Sequence, residues 1–295
     1  ILIRDLLIEK KHSNKHSYNK KLCLMLSTSG STGSPKIVCL SEENLLINSS
    51  SIISALNIND HDNAITTLPM SYSYGLSIIN SHLRAGSTIV LNNQSIISKK
   101  FWDIVCKHKV NSLNAVPYTY QMLKKFNIHN FNTKSLDYFT VAGGKLDIDT
   151  KKYFVSYAKS NDKKFIVMYG QTEATARMTY LPYDKIGKKI ESIGIPIDGG
   201  KIKIFDKNGK IVNEPFKQGQ INYEGKNVML GYANTLEDLT QGDMTKGKLN
   251  TGDLGYFDNE EYYYITGRIS RFIKIYGLRV NLDEIDDWLK KNAFK

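Results

Sequence analysis

The residues best equipped for chemistry stand in one run, Ser27-Thr28-Ser29-Gly30-Ser31-Thr32-Gly33-Ser34-Pro35-Lys36. Gly30 and Gly33 let the backbone curl so that successive N–H groups face an anion, Ser31 and Thr32 add hydroxyl donors, and Lys36 brings a mobile positive charge. A polyphosphate needs those parts. A polar surface turn stands beside that reading, because Ser, Thr and Gly also cluster in loops for conformational reasons. The apolar run Leu22 to Leu26 just before it reads as a buried strand. A Walker loop requires Gly directly before the lysine and Ser or Thr directly after it. Pro35 and Ile37 occupy those places, which argues against kinase and GTPase chemistry.

The order Ser/Thr-Gly-Ser-Thr-Gly-x-Pro-Lys resembles the signature loop of the adenylate-forming enzymes, the AMP-dependent synthetases and ligases that include acyl-CoA synthetases, luciferases and amino-acid-adenylating domains. Five further segments match in the family's order: Tyr169-Gly170-Gln171-Thr172-Glu173, Gly219 to Tyr232, Thr251-Gly252-Asp253-Leu254, Gly267-Arg268, and Ile273 to Val280. The resemblance implies ATP-dependent activation of a carboxylic acid to an acyl-adenylate, followed by transfer to a thiol, either CoA or the pantetheine of an acyl carrier protein. ATP and Mg²⁺ are the implied cofactors.

Residue by residue, the resemblance puts Thr28 to Gly33 and Lys36 around the phosphates, Tyr169 beside Gly170 stacked on adenine, and Thr172 on the α-phosphate or substrate carboxylate. Glu173 would hold Mg²⁺, as a hard cation bridging phosphates wants a carboxylate oxygen. Asp253 would accept the ribose hydroxyls, a geometry suited to a carboxylate, although an Asp in a Gly-rich turn is equally ordinary turn chemistry. Arg268 would contact ribose or phosphate at the hinge to a mobile lid, with Ser270 where relatives have Asp or Lys. Lys274 and Gly277 would approach the nucleotide or the thiol channel. Thr172, Glu173 and Lys36 are thus the candidate catalytic residues.

The acid would lie near Tyr72 and Gly75, in Pro69 to Gly75, and near Ala142, Gly143, Gly144 and Lys145. Relatives carry an aromatic or His gate at the position of Tyr72, and adenine and acyl chain pack on the Gly-Gly turn. Tyr72 and Tyr74 serve equally well as core aromatics. Amino-acid-adenylating relatives have an Asp in this neighbourhood to pair with an ammonium; none is present here, which points to an acid without an α-amino group. Lys145 stands where relatives often have a small residue; it is expected to face solvent, with a polar group on the acid as the alternative partner.

The elements that must hold these residues alternate. Strands are predicted at Ala64–Leu68, Thr88–Leu91, Ser112–Val116, Tyr138–Val141 and Phe165–Met168, and helices from Ser41 to Leu56 and over Gly75–Arg84, Lys99–His108, Tyr118–Phe126 and Ile148–Ala158. Strands separated by helices imply an α/β fold, a parallel sheet layered with helices whose ligands sit at the carboxyl ends of strands. Beyond residue 185 short segments at Lys201–Phe205, Gly219–Tyr223 and Asn227–Leu230 suggest antiparallel strands. The expected organisation is an α/β nucleotide- and acyl-binding unit over 1–184, a small β-barrel over 185–267, and over 268–295 a hinge and the beginning of a C-terminal lid, whose helix starts at Leu282.

The chain has 295 residues, 41% hydrophobic and 23% charged, as expected of a globular protein. Forty Lys and Arg against 29 Asp and Glu leave a net charge of +11. The excess is scattered in pairs such as Lys163-Lys164 rather than gathered in a basic arm with aromatics, so nucleic acid is not an expected partner. Cys23, Cys39 and Cys106 show neither metal spacing nor a disulfide framework, and no signal peptide or membrane-spanning run is read, which favours the cytoplasm. The chain begins at Ile1, only about twenty residues before the loop, where relatives carry a whole subdomain, and the family's late lysine is missing. Truncation at both ends is therefore expected. It leaves open a nucleotide-binding remnant or half of a split protein without turnover of its own, or an enzyme that stops at the adenylate or uses another acceptor.

Overall fold

The computed structural model describes residues 18–28, 36–269, 272–275, 278–282 and 289. Its centre is a seven-stranded sheet. β1 (Leu22–Thr28) and β2 (Lys36–Ser41) come first and lie outside that sheet; α1 (Glu42–Leu56), β3 (Asn63–Ile65), α2 (Ser73–Arg84), β4 (Thr88–Val90), α3 (Lys99–Lys107), β5 (Ser112–Ala115), α4 (Pro117–Lys125), β6 (Tyr138–Val141), α5 (Ile148–Ser160) and β7 (Lys164–Tyr169) build it up. β8 (Thr179–Leu181) and β9 (Ile195–Pro196) complete it, in the order β4-β3-β5-β6-β7-β8-β9. The first five strands in that order are parallel, and β8 and β9 are antiparallel, so the expected parallel sheet holds with an antiparallel edge that takes in residues beyond 184.

Alternation along the central strands explains two covered faces. Phe139, Val141, Phe165 and Val167 share a core with Phe101 and Trp102 of α3, Tyr120 of α4 and Phe154 of α5. Tyr138, Ile166 and Met168 point the other way, to Ile52 and Leu56 of α1 and Tyr74 and Ile78 of α2. The helix starts follow local chemistry. Ser41 caps α1 by accepting from the Asn44 N–H at 3.1 Å while Asn44 Oδ1 accepts from the Ser41 N–H at 2.8 Å, and Glu42 and Glu43 sit at the positive end of the dipole.

The first hairpin departs from expectation. β1 is half exposed and pairs antiparallel with β2, with β12 (Gly231–Ala233) on the other side of β2, so the run Leu22 to Leu26 is not a buried strand of the parallel sheet. The loop at 29–35 therefore joins two strands of a hairpin instead of leading from a strand into a helix. Leu26, Val38 and Leu40 pack with Ala174 and Met178 and with residues of the next sheet, which presses the hairpin against the segment that follows β7.

That next sheet contains β10 (Lys201–Phe205), β11 (Gly219–Glu224), β13 (Lys248–Phe257) and β14 (Tyr263–Arg268), all antiparallel. The expected barrel is here an open sheet in the order β10-β11-β13-β14, whose end strands do not pair among the described residues. Asn227–Leu230, read as a strand, is turn; the strand begins at Gly231 and belongs to the first hairpin. Thr251-Gly252-Asp253 lies within β13, not in a turn between strands. β15 (Phe272–Ile275) and β16 (Leu278–Asn281) form a separate two-stranded ribbon. The expected lid helix from Leu282 falls almost wholly outside the described residues.

Candidate active site

Three segments that leave carboxyl ends of parallel strands meet at one rim: residues 66–72 after β3, 142–145 after β6 and 169–173 at the end of β7. This is where an α/β sheet binds its ligands. Ser29, Gly30, Ser31, Thr32 and Gly33 lie outside the described residues, as does Gly277, and of Lys274 only its place in β15 is described. The base of the loop is visible. Thr28 and Lys36 are partners in the β1–β2 ladder, and Thr28 Oγ1 donates to the Lys36 carbonyl at 3.3 Å.

From that base the Lys36 ammonium lies over the ring of Tyr232, 5.0 Å from its centroid. The Tyr232 hydroxyl in turn donates to Glu173 Oε1 at 2.8 Å. Burial first, then the adjacent Glu173 charge, push the Tyr232 phenol far above its ordinary range, so it stays a donor. β12 carries Tyr232 and pairs with β2, which is why two segments nearly two hundred residues apart converge on Glu173. Next to it Thr172 Oγ1 lies 3.0 Å from Ser73 Oγ, at the start of α2.

The other end of the same five-residue segment is a buried polar knot. The Asp253 side chain accepts from Tyr169 Oη at 2.5 Å and Gln171 Nε2 at 3.1 Å on Oδ2, and from Arg268 Nε at 2.8 Å on Oδ1. Gln171 Nε2 also reaches the Thr251 carbonyl at 2.8 Å. Asp253 is 1% exposed and its carboxylate already holds at least three donors, so ribose hydroxyls would have to displace one or share what remains. Burial, then the Asp253 charge, hold the Tyr169 phenol well above its usual range. The close packing that permits this knot demands glycine at one point. A Cβ on Gly170 would lie 1.7 Å from the Ala176 carbonyl oxygen.

Residues expected around the acid also lie together. Gly143 has φ +83° and its missing Cβ would stand 2.4 Å from Tyr72 Oη, so the Gly-Gly turn and the half-buried Tyr72 are in contact. Gly144 lies against Pro117. Ala142 is buried in the core that Tyr72 flanks, Gly75 is buried within α2, and Lys145 is exposed. The expected sites on which the structure bears are thus drawn into two groups, Lys36 with Thr172 and Glu173, and Tyr169 with Asp253 and Arg268, flanked by Tyr72 and its glycines.

Four polar residues were not among the candidates. Gln171 and Ser73 stand beside ones that were, and Tyr232 ends a matched stretch, but its partner Glu173 is set by the β2–β12 pairing. Arg177 had its own signal, a lone charge in the run Ala174 to Leu181. Its guanidinium is buried, 4.9 Å from the Tyr74 ring centroid.

Residues 5–233 match the family of AMP-binding enzymes. The chain belongs to this family. It is 29% identical to the 2-succinylbenzoate–CoA ligase of Bacillus subtilis over 267 residues, which cover 90% of this chain and 52% of that protein. It is also 29% identical to the oxalate–CoA ligase of Arabidopsis thaliana (89% and 51% covered) and to the sulfoacetate–CoA ligase of Cupriavidus necator (91% and 52%). The chain spans about half the length of the curated relatives it matches. Among solved structures it resembles o-succinylbenzoate CoA synthetase from Bacillus subtilis in complex with its acyl-adenylate intermediate, with TM-score 0.77 and 27% identity over 91% of this chain and 53% of that one. The same synthetase in complex with ATP and magnesium ion gives TM-score 0.77 and 27% identity, over 91% and 55%.

Proposed function

We propose that the protein carrying this chain uses MgATP to activate a carboxylic acid and then passes the acyl group to the thiol of CoA, with carrier-protein pantetheine as the alternative acceptor. The observation that carries the reading is the segment 169–173. Its Thr172 meets the start of α2, its Glu173 meets Tyr232 beneath Lys36, and its Tyr169 and Gln171 meet Asp253. One short segment thus has acid, phosphate and ribose contacts within reach. The names of relatives as CoA ligases, and the solved complexes with ATP, magnesium and acyl-adenylate, support it.

In this reading an oxygen of the acid attacks the α-phosphorus, the bond from that phosphorus to the bridging oxygen breaks, and pyrophosphate leaves. The thiol then attacks the acyl carbon, its proton is lost, and AMP leaves with the carboxyl oxygen. The chain's part is positioning and charge stabilisation. Lys36 and the loop at 28–33 hold the β- and γ-phosphates, Thr172 orients the carboxylate or α-phosphate, and Tyr169, the Gly143-Gly144 turn, Asp253, Arg268 and Lys274 hold the rest of the nucleotide. The described residues hold no cluster of three or more His, Cys, Asp or Glu that could bind a metal. A single carboxylate, Glu173, fits Mg²⁺, which takes most of its ligands from phosphates and water. Tyr72 gates the acid, the open sheet of β10, β11, β13 and β14 walls the ribose side, and the 268–295 segment begins the lid.

The three cysteines are free, which suits a reducing cytoplasm, and no helix among the described residues is long and apolar enough to cross a membrane. The acids named for the relatives above, oxalate, sulfoacetate and 2-succinylbenzoate, all lack an α-ammonium. The test is exchange of labelled pyrophosphate into ATP by the full-length protein. Exchange that requires both Mg²⁺ and a simple carboxylic acid is the expected result; exchange driven by α-amino acids instead, or by no acid, contradicts it.

A further inference from the structure

Among the described residues Arg177 is a cation without an anion. It is 1% exposed, its Nη1 donates to the Met168 sulfur at 3.2 Å, a weak acceptor, and its Nε and Nη2 have no acceptor among the described residues. A guanidinium cannot shed its proton at any ordinary pH, so the charge is buried uncompensated. The groups around it do not serve as its counter-ion. Tyr74, whose ring it faces, shares a hydrogen bond of 2.7 Å with Thr140 Oγ1, and burial keeps the phenols of Tyr74 and Tyr138 protonated. Asp62 beyond them is already engaged by Asn111 Nδ2 at 2.5 Å and by the Asn59 N–H at 2.8 Å. His82, next to Asp62 and Tyr138, is held neutral by burial.

The place of this cation matters as much as its isolation. Three consecutive residues connect it to the site. Tyr72 touches Gly143, Ser73 meets Thr172 at 3.0 Å, and Tyr74 lies under the guanidinium. The Tyr72 and Tyr74 rings meet edge to face at 6.4 Å between centroids. An acid whose reacting carboxylate sits at Thr172 and whose far end follows the first turn of α2 would bring that end to Tyr74 and Arg177. The backbone of Arg177 is fixed, since its carbonyl accepts from Asn48 Nδ2 at 2.7 Å, so the charge is held at that point.

We propose that Arg177 is the specificity residue for a second anionic group on the acid, a carboxylate or sulfonate at the end away from the reacting carboxyl. This rests on the acid-activation reading and narrows its substrate to dianionic acids. The fork of Nε and Nη2 suits a two-oxygen anion, and such a pair in a dry site discriminates strongly against a methyl group in the same place.

The test uses the full-length protein and matched pairs of acids of equal length, one ending in a carboxylate and one in a methyl group. In acid-dependent pyrophosphate exchange the wild type should favour the diacid by about 10- to 100-fold in kcat/KM. Arg177→Met should remove or invert that preference while the methyl-ended acid is used as well as before. Arg177→Lys, which keeps the charge and loses the fork, should fall between, and carries the same test if Arg177→Met does not fold. A wild type without the preference, or an Arg177→Met protein that loses both acids equally, overturns the proposal. Thermal melting with the diacid separates this claim from the one beneath it. If no acid drives exchange, activation fails; a diacid that still raises the melting temperature of wild type but not of Arg177→Met sustains the anion site, and one that raises neither overturns both.

Discussion

Asp253 and Arg177 are each 1% exposed, lie on strands or strand approaches around the same short segment, and carry opposite charges, yet they are finished to different degrees. Asp253 has donors on both oxygens, from Tyr169, Gln171 and Arg268. Arg177 has a thioether, an aromatic face and, among the described residues, two nitrogens with no acceptor. A buried charge with its partners in place holds a fold together, whereas one without them is tolerated at a cost that a ligand can remove. The polar groups at the proposed nucleotide end of the site thus answer one another. The proposed acid end is assembled only in part.

The largest effect that sharpens this contrast is on stability. Asp253→Ala strips the acceptor from the buried Tyr169 and Gln171 donors and should lower unfolding free energy by about 1–3 kcal/mol for each donor left unanswered. Arg177→Met replaces an unpaired buried charge by an apolar chain of similar length and should be neutral or stabilising, by about 1–4 kcal/mol at most. Denaturant unfolding of the two variants checks both. Equal destabilisation would mean that Arg177 is as well partnered as Asp253 and would break the comparison.

A smaller effect concerns pH. Burial lowers the His82 pKa below its usual 6.5, with the nearby Arg177 charge acting the same way, so the folded state binds a proton less readily than the unfolded chain. Its contribution to stability is complete above about pH 6.5 and is lost as pH falls through that value toward the folded pKa. Melting temperature should therefore decline between about pH 7 and pH 5.5, and the slope should be shallower in His82→Asn. A steeper slope in the variant, or none in the wild type, would place the charge of Arg177 elsewhere in the balance.

The halves of this contrast were unequally legible in the residues. Strands with their own apolar pattern, such as Tyr138–Val141 and Lys201–Phe205, and the Ser41-Glu42-Glu43 helix start are local signals, and they recur in the structure with the same bounds or within a residue or two. The hairpin of β1 and β2 was not, because its partner strand β12 lies far along the chain and only the pairing Tyr232↔Val38 brings Tyr232 to Glu173. Asp253 reads as turn chemistry beside Gly252, while the structure has it in a ten-residue strand whose Gly252 has φ +72°. Arg177 shows in the sequence only as a lone charge in the run Ala174 to Leu181; its burial comes from the packing of α2 over β7 and β8.

The most direct test of the central claim, that the ring of Lys36, Thr172, Glu173, Tyr169 and Asp253 is a nucleotide site, is calorimetric titration of the chain with MgATP and with AMP, in the wild type and in Lys36→Ala. Lys36 lies at the Glu173 end, away from the Asp253 knot, so its loss should weaken ATP at least about tenfold while AMP is held nearly as before. Equal weakening of the two nucleotides, or binding of neither by the wild type, would contradict the account.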